Sequence, residues 1–200
     1  MRIAIEGMDG SGKTTISKIL TERLGYKYVD KPFKFLFESL NINEFQLKDL
    51  EWKLYKTKDE ALLTLFYGLG LLYGTRCNPD KDVIYDRHFV SNYYWHGDEE
   101  TMPLHRELIR LCGKPDLTVL LKASVFTRMN RIYARNHQDK DLSNCAMYDD
   151  DYDKMENFLQ NFDFNYIVID TEYLSPEEVA DIVMQNIELM NSKKLLKERK

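Results

Sequence analysis

Eight consecutive residues near the N-terminus, Gly7-Met8-Asp9-Gly10-Ser11-Gly12-Lys13-Thr14, constrain this chain more than any other feature. They fit G-x-x-x-x-G-K-[ST] and stand between an apolar run, Arg2 to Glu6, and an amphipathic one, Thr14 to Leu24. In that setting the glycines let the backbone curl until successive N–H groups face inward. The helix behind them adds the positive end of its dipole, and such a cradle suits phosphate. The spacing puts Lys13 within reach of β- and γ-phosphates and the Thr14 hydroxyl beside a bound Mg²⁺. Asp9, Gly10, Ser11, Gly12, Lys13, Thr14 and Thr15 are therefore the candidate ATP-binding residues.

The rest of the chain alternates short β-like runs with longer helical patterns, which predicts an α/β fold with a parallel sheet covered by helices on both faces. Strands are expected near Arg2 to Glu6, Tyr26 to Asp30, Asp82 to Asp86, Leu117 to Lys122 and Tyr166 to Asp170. Ile16, Ile19, Leu20 and Leu24 recur at helical spacing, and Gly25 is placed to end that helix. Pro32 to Tyr73 reads as mostly helical and too long for a simple loop. Helices are also expected over Pro103 to Leu111 and from Ser175-Pro176-Glu177-Glu178 to about Met190. No repeat or linker divides the chain, so one domain is expected over residues 1–192, with Lys193 to Lys200 as a frayed, solvated basic tail.

Composition narrows the partners. With 200 residues, 44% of them hydrophobic, the chain can bury a real core. A formal charge of −5 offers no general attraction to a nucleic-acid polymer or an anionic membrane. Ala61 to Tyr73, the longest apolar stretch, is interrupted by Thr64, Gly68 and Gly70, and the N-terminus lacks a signal-peptide pattern. A soluble, cytoplasmic protein is expected. Cys77, Cys112 and Cys145 are odd in number and widely spaced, which reads as free thiols rather than a disulfide or zinc framework.

A second polar cluster closes an apolar strand: Val83-Ile84-Tyr85-Asp86-Arg87-His88-Phe89-Val90-Ser91. Ligands of open α/β sheets bind beyond the carboxyl ends of the strands, so Asp86 and Arg87 are expected beside the glycine loop. Asp86 could hold Mg²⁺ through water or accept a proton, and Arg87 could clamp the acceptor's phosphate or 5′ oxygen in line with the γ-phosphate. Alone, such a pair reads as a surface ion pair; its coupling to the loop favours function. Thr14 and Asp86 are the candidate Mg²⁺ ligands.

Ile5-Glu6-Gly7-Met8-Asp9-Gly10-Ser11-Gly12-Lys13-Thr14-Thr15 resembles the opening of the thymidylate kinase family, and Asp86-Arg87-His88 through Ser91 resembles that family's D-R-Y-x-x-S segment. The absence of an N-K-x-D motif weakens a GTPase reading. The resemblance implies a P-loop three-layer fold with a five-stranded sheet ordered 2-3-1-4-5, a homodimer, and ATP- and Mg²⁺-dependent transfer of a γ-phosphoryl group to a deoxynucleoside monophosphate, dTMP first. A deoxynucleoside kinase and a nucleotide-binding module that has lost catalysis are the alternatives. The run Arg128-Met129-Asn130-Arg131-Ile132-Tyr133-Ala134-Arg135 resembles the family's lid, placed here at about residues 128–147. Members with no arginine in the loop use lid arginines, which makes Arg131 and Arg135 catalytic candidates beside Lys13, Asp86 and Arg87, with Arg128 behind them. Asp149-Asp150-Asp151 reads as a solvated acidic run.

For the acceptor, the resemblance implies Asp9 at the sugar 3′-hydroxyl and Phe66 stacked on the base, although Phe66 reads equally as a core aromatic. Phe33, Arg87 and Ser91 complete the acceptor-binding candidates. Three departures mark this chain. Gly70 stands where the family carries a phosphate-binding arginine, Asp30-Lys31-Pro32-Phe33 stands in place of E-P-G-G-T, and Tyr94-Trp95-His96 in place of A-Y-Q.

Overall fold

A computed structural model describes residues 1–78, 82–147 and 152–198. Five strands, β1 (Arg2–Gly7), β2 (Lys27–Asp30), β3 (Val83–Asp86), β4 (Leu117–Lys122) and β5 (Tyr166–Asp170), form one sheet in the order β2-β3-β1-β4-β5. All neighbours are parallel. Ten helices occupy the described residues between and after them: α1 (Lys13–Leu24), α2 (Pro32–Ser39), α3 (Glu44–Tyr55), α4 (Glu60–Arg76), α5 (Phe89–His96), α6 (Met102–Cys112), α7 (Val125–Arg135), α8 (Asp141–Met147), α9 (Tyr152–Asn161) and α10 (Pro176–Glu198). The fold is the three-layer α/β P-loop arrangement, with the sheet order implied by the resemblance.

Because the central strands are covered on both faces, they carry near-continuous apolar runs. In β4, Leu117, Val119 and Leu121 pack toward α1 and α10 with Ile3, Ile5, Leu20 and Val183, while Leu120 faces Phe89, Leu108, Phe158 and Leu159 on the other side. Gly25 ends α1 in the left-handed region at φ 68°, its N–H donating to the Thr21 carbonyl at 2.9 Å. Ser175 and Glu178 exchange side-chain to backbone hydrogen bonds and fix the start of α10. That helix runs past Met190 to Glu198. Asp149-Asp150-Asp151 lies outside the described residues, as do the side chains of the C-terminal tail.

The long helical stretch divides into α2, α3 and α4. Asn43 and Gln46 form a reciprocal capping box at the start of α3, and the Asp59 side chain caps α4. Gly68 lets Leu108 of α6 come close on one side of α4, and Gly70 and Gly74 let α2 come close on another. Of the described residues, no helix is long and apolar enough to cross a membrane.

Candidate functional site

The glycine loop joins β1 to α1 at the carboxyl edge of the sheet. Met8 is buried against Phe89 and Leu120 and anchors the loop, while Gly7, Gly10 and Gly12 take φ values of 138°, 83° and 100° that other residues rarely adopt. A Cβ on Gly10 would stand 2.6 Å from the Arg128 carbonyl oxygen, so α7 rests directly on the loop there. Lys13 is buried and its Nζ donates to the Met8 carbonyl at 2.6 Å, which folds the side chain across the cradle. Burial, helped by the nearby Arg87 charge, lowers its pKa to about 7. Thr14 and Thr15 are exposed at the start of α1, and Ser11 is buried with its Oγ free of any hydrogen bond among the described residues.

Asp86, at the end of β3, is fully buried. Its Oδ2 accepts from the Thr14 hydroxyl and from the Tyr28 phenol at 3.2 Å, and its Oδ1 has no hydrogen-bond partner among the described residues. A buried carboxylate oxygen without a donor, next to a hydroxyl at a phosphate loop, fits a hard cation. Magnesium in such sites needs only one or two protein ligands, the remainder coming from phosphate and water. Accordingly, no group of three or more His, Cys, Asp or Glu gathers at one point among the described residues.

Arg87 follows in left-handed backbone, φ 77°, with its N–H held by the Ile5 carbonyl at 3.0 Å. Its guanidinium pairs with Asp9 and reaches Ser91 Oγ at 3.5 Å. Burial would raise the Asp9 pKa, but the charges of Arg87 and Lys13 overcome it and bring the carboxyl down to about 2. Behind this pair sits Glu6, buried in β1. Its carboxylate accepts from the N–H groups of His88 and Val90, each at 2.9 Å, and from the N–H and hydroxyl of Ser91 at 3.2 and 2.5 Å. It therefore caps α5 from another strand and fixes the Asp86 to Ser91 segment against the loop. Burial raises the Glu6 pKa against the pull of those donors. An acid at the end of Ile3-Ala4-Ile5 was the sequence signal that could have revealed it, because an apolar buried strand has no other use for a carboxylate.

Beyond Asp9 and Arg87 opens a cavity of about 900 Å³. Phe33, Tyr67, Trp95 and His96 are among its lining residues, with Ser91 at the base. Phe66 is not on its wall. It packs edge-on against Phe33 at 4.4 Å and near Phe37 at 5.9 Å, whereas the adjacent Tyr67 faces the cavity, stacked on His96 at 4.6 Å and 3° and donating to Glu51 at 3.1 Å. Gly70 faces α2 rather than the cavity: a Cβ there would lie 2.4 Å from the Phe33 Cα.

The three arginines of α7 separate. Arg128, on α7, is buried with Nη1 3.5 Å from the Asp9 carbonyl. Arg131 donates to the Thr171 hydroxyl at 2.9 Å and carbonyl at 2.6 Å, and the Thr171 hydroxyl in turn reaches the Ser11 carbonyl at 3.4 Å. Arg135 is exposed and holds Asp139 and Asp141 at 2.5 and 3.2 Å. The structure thus gathers Asp9, Lys13, Thr14, Asp86, Arg87 and Ser91 into one site. It sets Arg131 beside the loop's Ser11 and leaves Arg135 and Phe66 outside.

A profile of the thymidylate kinase family matches residues 5–182. A cytidylate kinase of Sulfolobus acidocaldarius is 26% identical over 96% of both chains. A probable thymidylate kinase of Archaeoglobus fulgidus is 30% identical over 97% of this chain and 98% of its own. Among solved structures, deoxyadenosine kinase from M. mycoides with bound dCTP superposes with a TM-score of 0.63 over 94% of this chain and 99% of its own, at 19% identity, a likeness of fold.

Proposed function

The chain belongs to the thymidylate kinase family, and from that premise we propose that it is an ATP- and Mg²⁺-dependent kinase whose acceptor is a deoxynucleoside monophosphate, dTMP first. Phosphotransfer on a nucleoside or nucleotide is what the family and fold carry; the monophosphate and its base are the finer step. One observation supports it above the others. The Lys13, Thr14 and Asp86 end of the site and the 900 Å³ cavity share a single border, the Asp9–Arg87 pair, so a donor phosphate and an acceptor would meet there.

In this reading Lys13 leaves the Met8 carbonyl for the β- and γ-phosphate oxygens, and the loop N–H groups hold the same tail. Thr14 and Asp86 would hold Mg²⁺, which when bound would supply positive charge against the phosphate oxygens. Arg87 swings from Asp9 to the acceptor phosphate and places its oxygen in line, freeing Asp9 for the sugar hydroxyl. Phe33, Tyr67 and Trp95 enclose the base. Lid closure brings Arg131 and Arg135 toward the equatorial oxygens, where their charge acts only in the transition state. Residues 128–147 act as that lid within a single domain, and the working unit is a homodimer.

An ADP-coupled assay with ATP, Mg²⁺ and a panel of dTMP, dCMP, CMP, other monophosphates and the free nucleosides tests the proposal. The similarity to a cytidylate kinase puts the cytidine monophosphates on the panel. Turnover on dTMP is expected; activity confined to nucleosides would replace this reading with a deoxynucleoside kinase, which the missing arginine at Gly70 favours.

A further inference from the structure

Position 70 cannot supply the cation that the resembling family uses to grip its acceptor. Phe33 Cα and N would stand 2.4 and 2.7 Å from a Cβ there, so α2 occupies the space that an arginine stem would need. The cavity must draw its second positive charge from another residue. Lysines 31, 34, 48 and 140 line it with Arg87. Lys34 is paired with Asp30 at 2.9 Å and Glu38 at 3.5 Å, and Lys48 with Glu44 at 2.7 Å. Lys140, just ahead of α8, lies near Glu44, whose carboxyl is lowered mainly by Lys48 and in smaller part by Lys34 and Lys140.

Lys31 differs from all of these. Asp30 and Asp86 are register partners in β2 and β3, so Lys31 and Arg87 are the next residues out of two adjacent strands. Parallel strands lie about 4.8 Å apart. Both residues turn out of the sheet in left-handed backbone, with φ of 42° for Lys31 and 77° for Arg87. The Lys31 N–H donates to the Asp86 carbonyl at 3.1 Å and its carbonyl accepts from Phe35 at 3.2 Å, which ties the strained turn to the catalytic strand. Among the described residues Lys31 makes no ion pair, it lines the cavity together with Arg87 and Asp9, and its charge adds in small part to those of Arg87 and Lys13 in holding Asp9 low. A left-handed lysine costs about 1 kcal/mol or more and persists where the surroundings over-determine it.

We propose that Lys31 is the second cation of the acceptor clamp, gripping with Arg87 the 5′-phosphate of an incoming nucleoside monophosphate in place of the arginine missing at Gly70. The proposal rests on the monophosphate-kinase reading and adds the group that sets the preference for a phosphorylated acceptor over the free nucleoside. Two cations on neighbouring strand ends suit a phosphomonoester dianion and give a neutral 5′-hydroxyl nothing.

Lys31→Gly removes the charge and relaxes the left-handed turn, so the variant keeps its fold. Steady-state kinetics on Lys31→Gly and Lys31→Arg, varying each monophosphate, each nucleoside and ATP in turn, read the effect. The expected result for Lys31→Gly is a rise of about 10- to 100-fold in the monophosphate KM, in line with a lost charged hydrogen bond. Its KM for ATP should stay within about twofold, and Lys31→Arg should recover most of the loss. A wild-type enzyme active on monophosphates whose Lys31→Gly variant keeps the same monophosphate KM overturns this proposal alone. A wild-type enzyme that works only on nucleosides, or on nothing in the panel, overturns both it and the reading beneath it.

Discussion

The Arg87 guanidinium is ion-paired with Asp9 across the border between the phosphate loop and the cavity, with each side chain about four-fifths buried. The pair joins β3 to the loop, and it holds Asp9 ionised far below the usual carboxylate range. The sign follows from linkage. A carboxyl whose folded pKa is about 2 against 3.8 unfolded contributes stability that is present above pH 3.8 and is lost as pH falls through 2. The full contribution is about 2 kcal/mol, given 1.36 kcal/mol per unit. Acid unfolding followed by circular dichroism should therefore be steeper between pH 4 and pH 2 in the wild type than in Asp9→Asn. Parallel curves would mean that the pair adds nothing to the fold.

Lys13 is shifted in the same direction for the opposite reason, because burial here disfavours the charged form instead of partners favouring it. Its buried ammonium has a pKa lowered from 10.5 to about 7, so the unfolded chain binds the extra proton between those values and stability from this group rises with pH across that window. A triphosphate in the cradle restores the charge. ATP binding near pH 8 should then take up close to one proton, visible as a binding enthalpy that depends on the ionisation heat of the buffer. Lys13→Met should remove both the uptake and turnover while leaving a folded protein. Binding with no proton uptake in the wild type would refute this account of Lys13.

The sheet and the phosphate loop were legible because their signals are local. Apolar runs ending in Asp86-Arg87, and glycines at fixed spacing before Lys13, mean the same thing wherever the rest of the chain goes. The acceptor side was not, because it is set by how α2 lands on α4. Phe66 and Tyr67 are neighbours about 100° apart around one helix, and which of them faces the cavity depends on where Phe33 comes to rest. The same docking closes Gly70. Lys31 read only as the wrong residue before a proline, since its pairing with Arg87 needs the β2–β3 register. The arginines of α7 are alike in sequence, and only the close approach of α7 to Gly10 sets Arg128 apart.

That approach leads to a prediction about the lid. Arg131 is tied to Thr171 and Arg135 to Asp139 and Asp141, so in the proposed mechanism both reach the transferring phosphoryl group only when the proposed lid closes. Groups recruited only at closure should act on the transition state more than on bound ATP. Arg131→Ala with Arg135→Ala is expected to lower kcat by about 100-fold or more, the scale of a lost oxyanion donor, with ATP affinity changed only a few-fold. Equal losses in kcat and ATP affinity, measured by single-turnover kinetics and titration, would assign them to ground-state binding.

Two glycines of α4 separate packing from propensity. Alanine is favoured over glycine inside a helix by about 1 kcal/mol, and at Gly74 the nearest atom to a new Cβ is Pro32 Cβ at 3.5 Å, an ordinary contact. Gly74→Ala should therefore leave Tm unchanged or raise it by up to about 4 °C. At Gly70 the same Cβ meets backbone, Phe33 Cα at 2.4 Å and N at 2.7 Å, which cannot move without shifting α2 off its seat. Overpacking of this kind costs about 1–3 kcal/mol, enough to cancel or outweigh the propensity gain. Because α2 begins at Pro32, directly after Lys31, a displaced α2 also carries Lys31 with it. Gly70→Ala is thus expected to melt several degrees below Gly74→Ala and to raise the acceptor KM, while Gly74→Ala leaves that KM alone. Equal melting temperatures for the two variants would mean that α2 does not press on α4 as described.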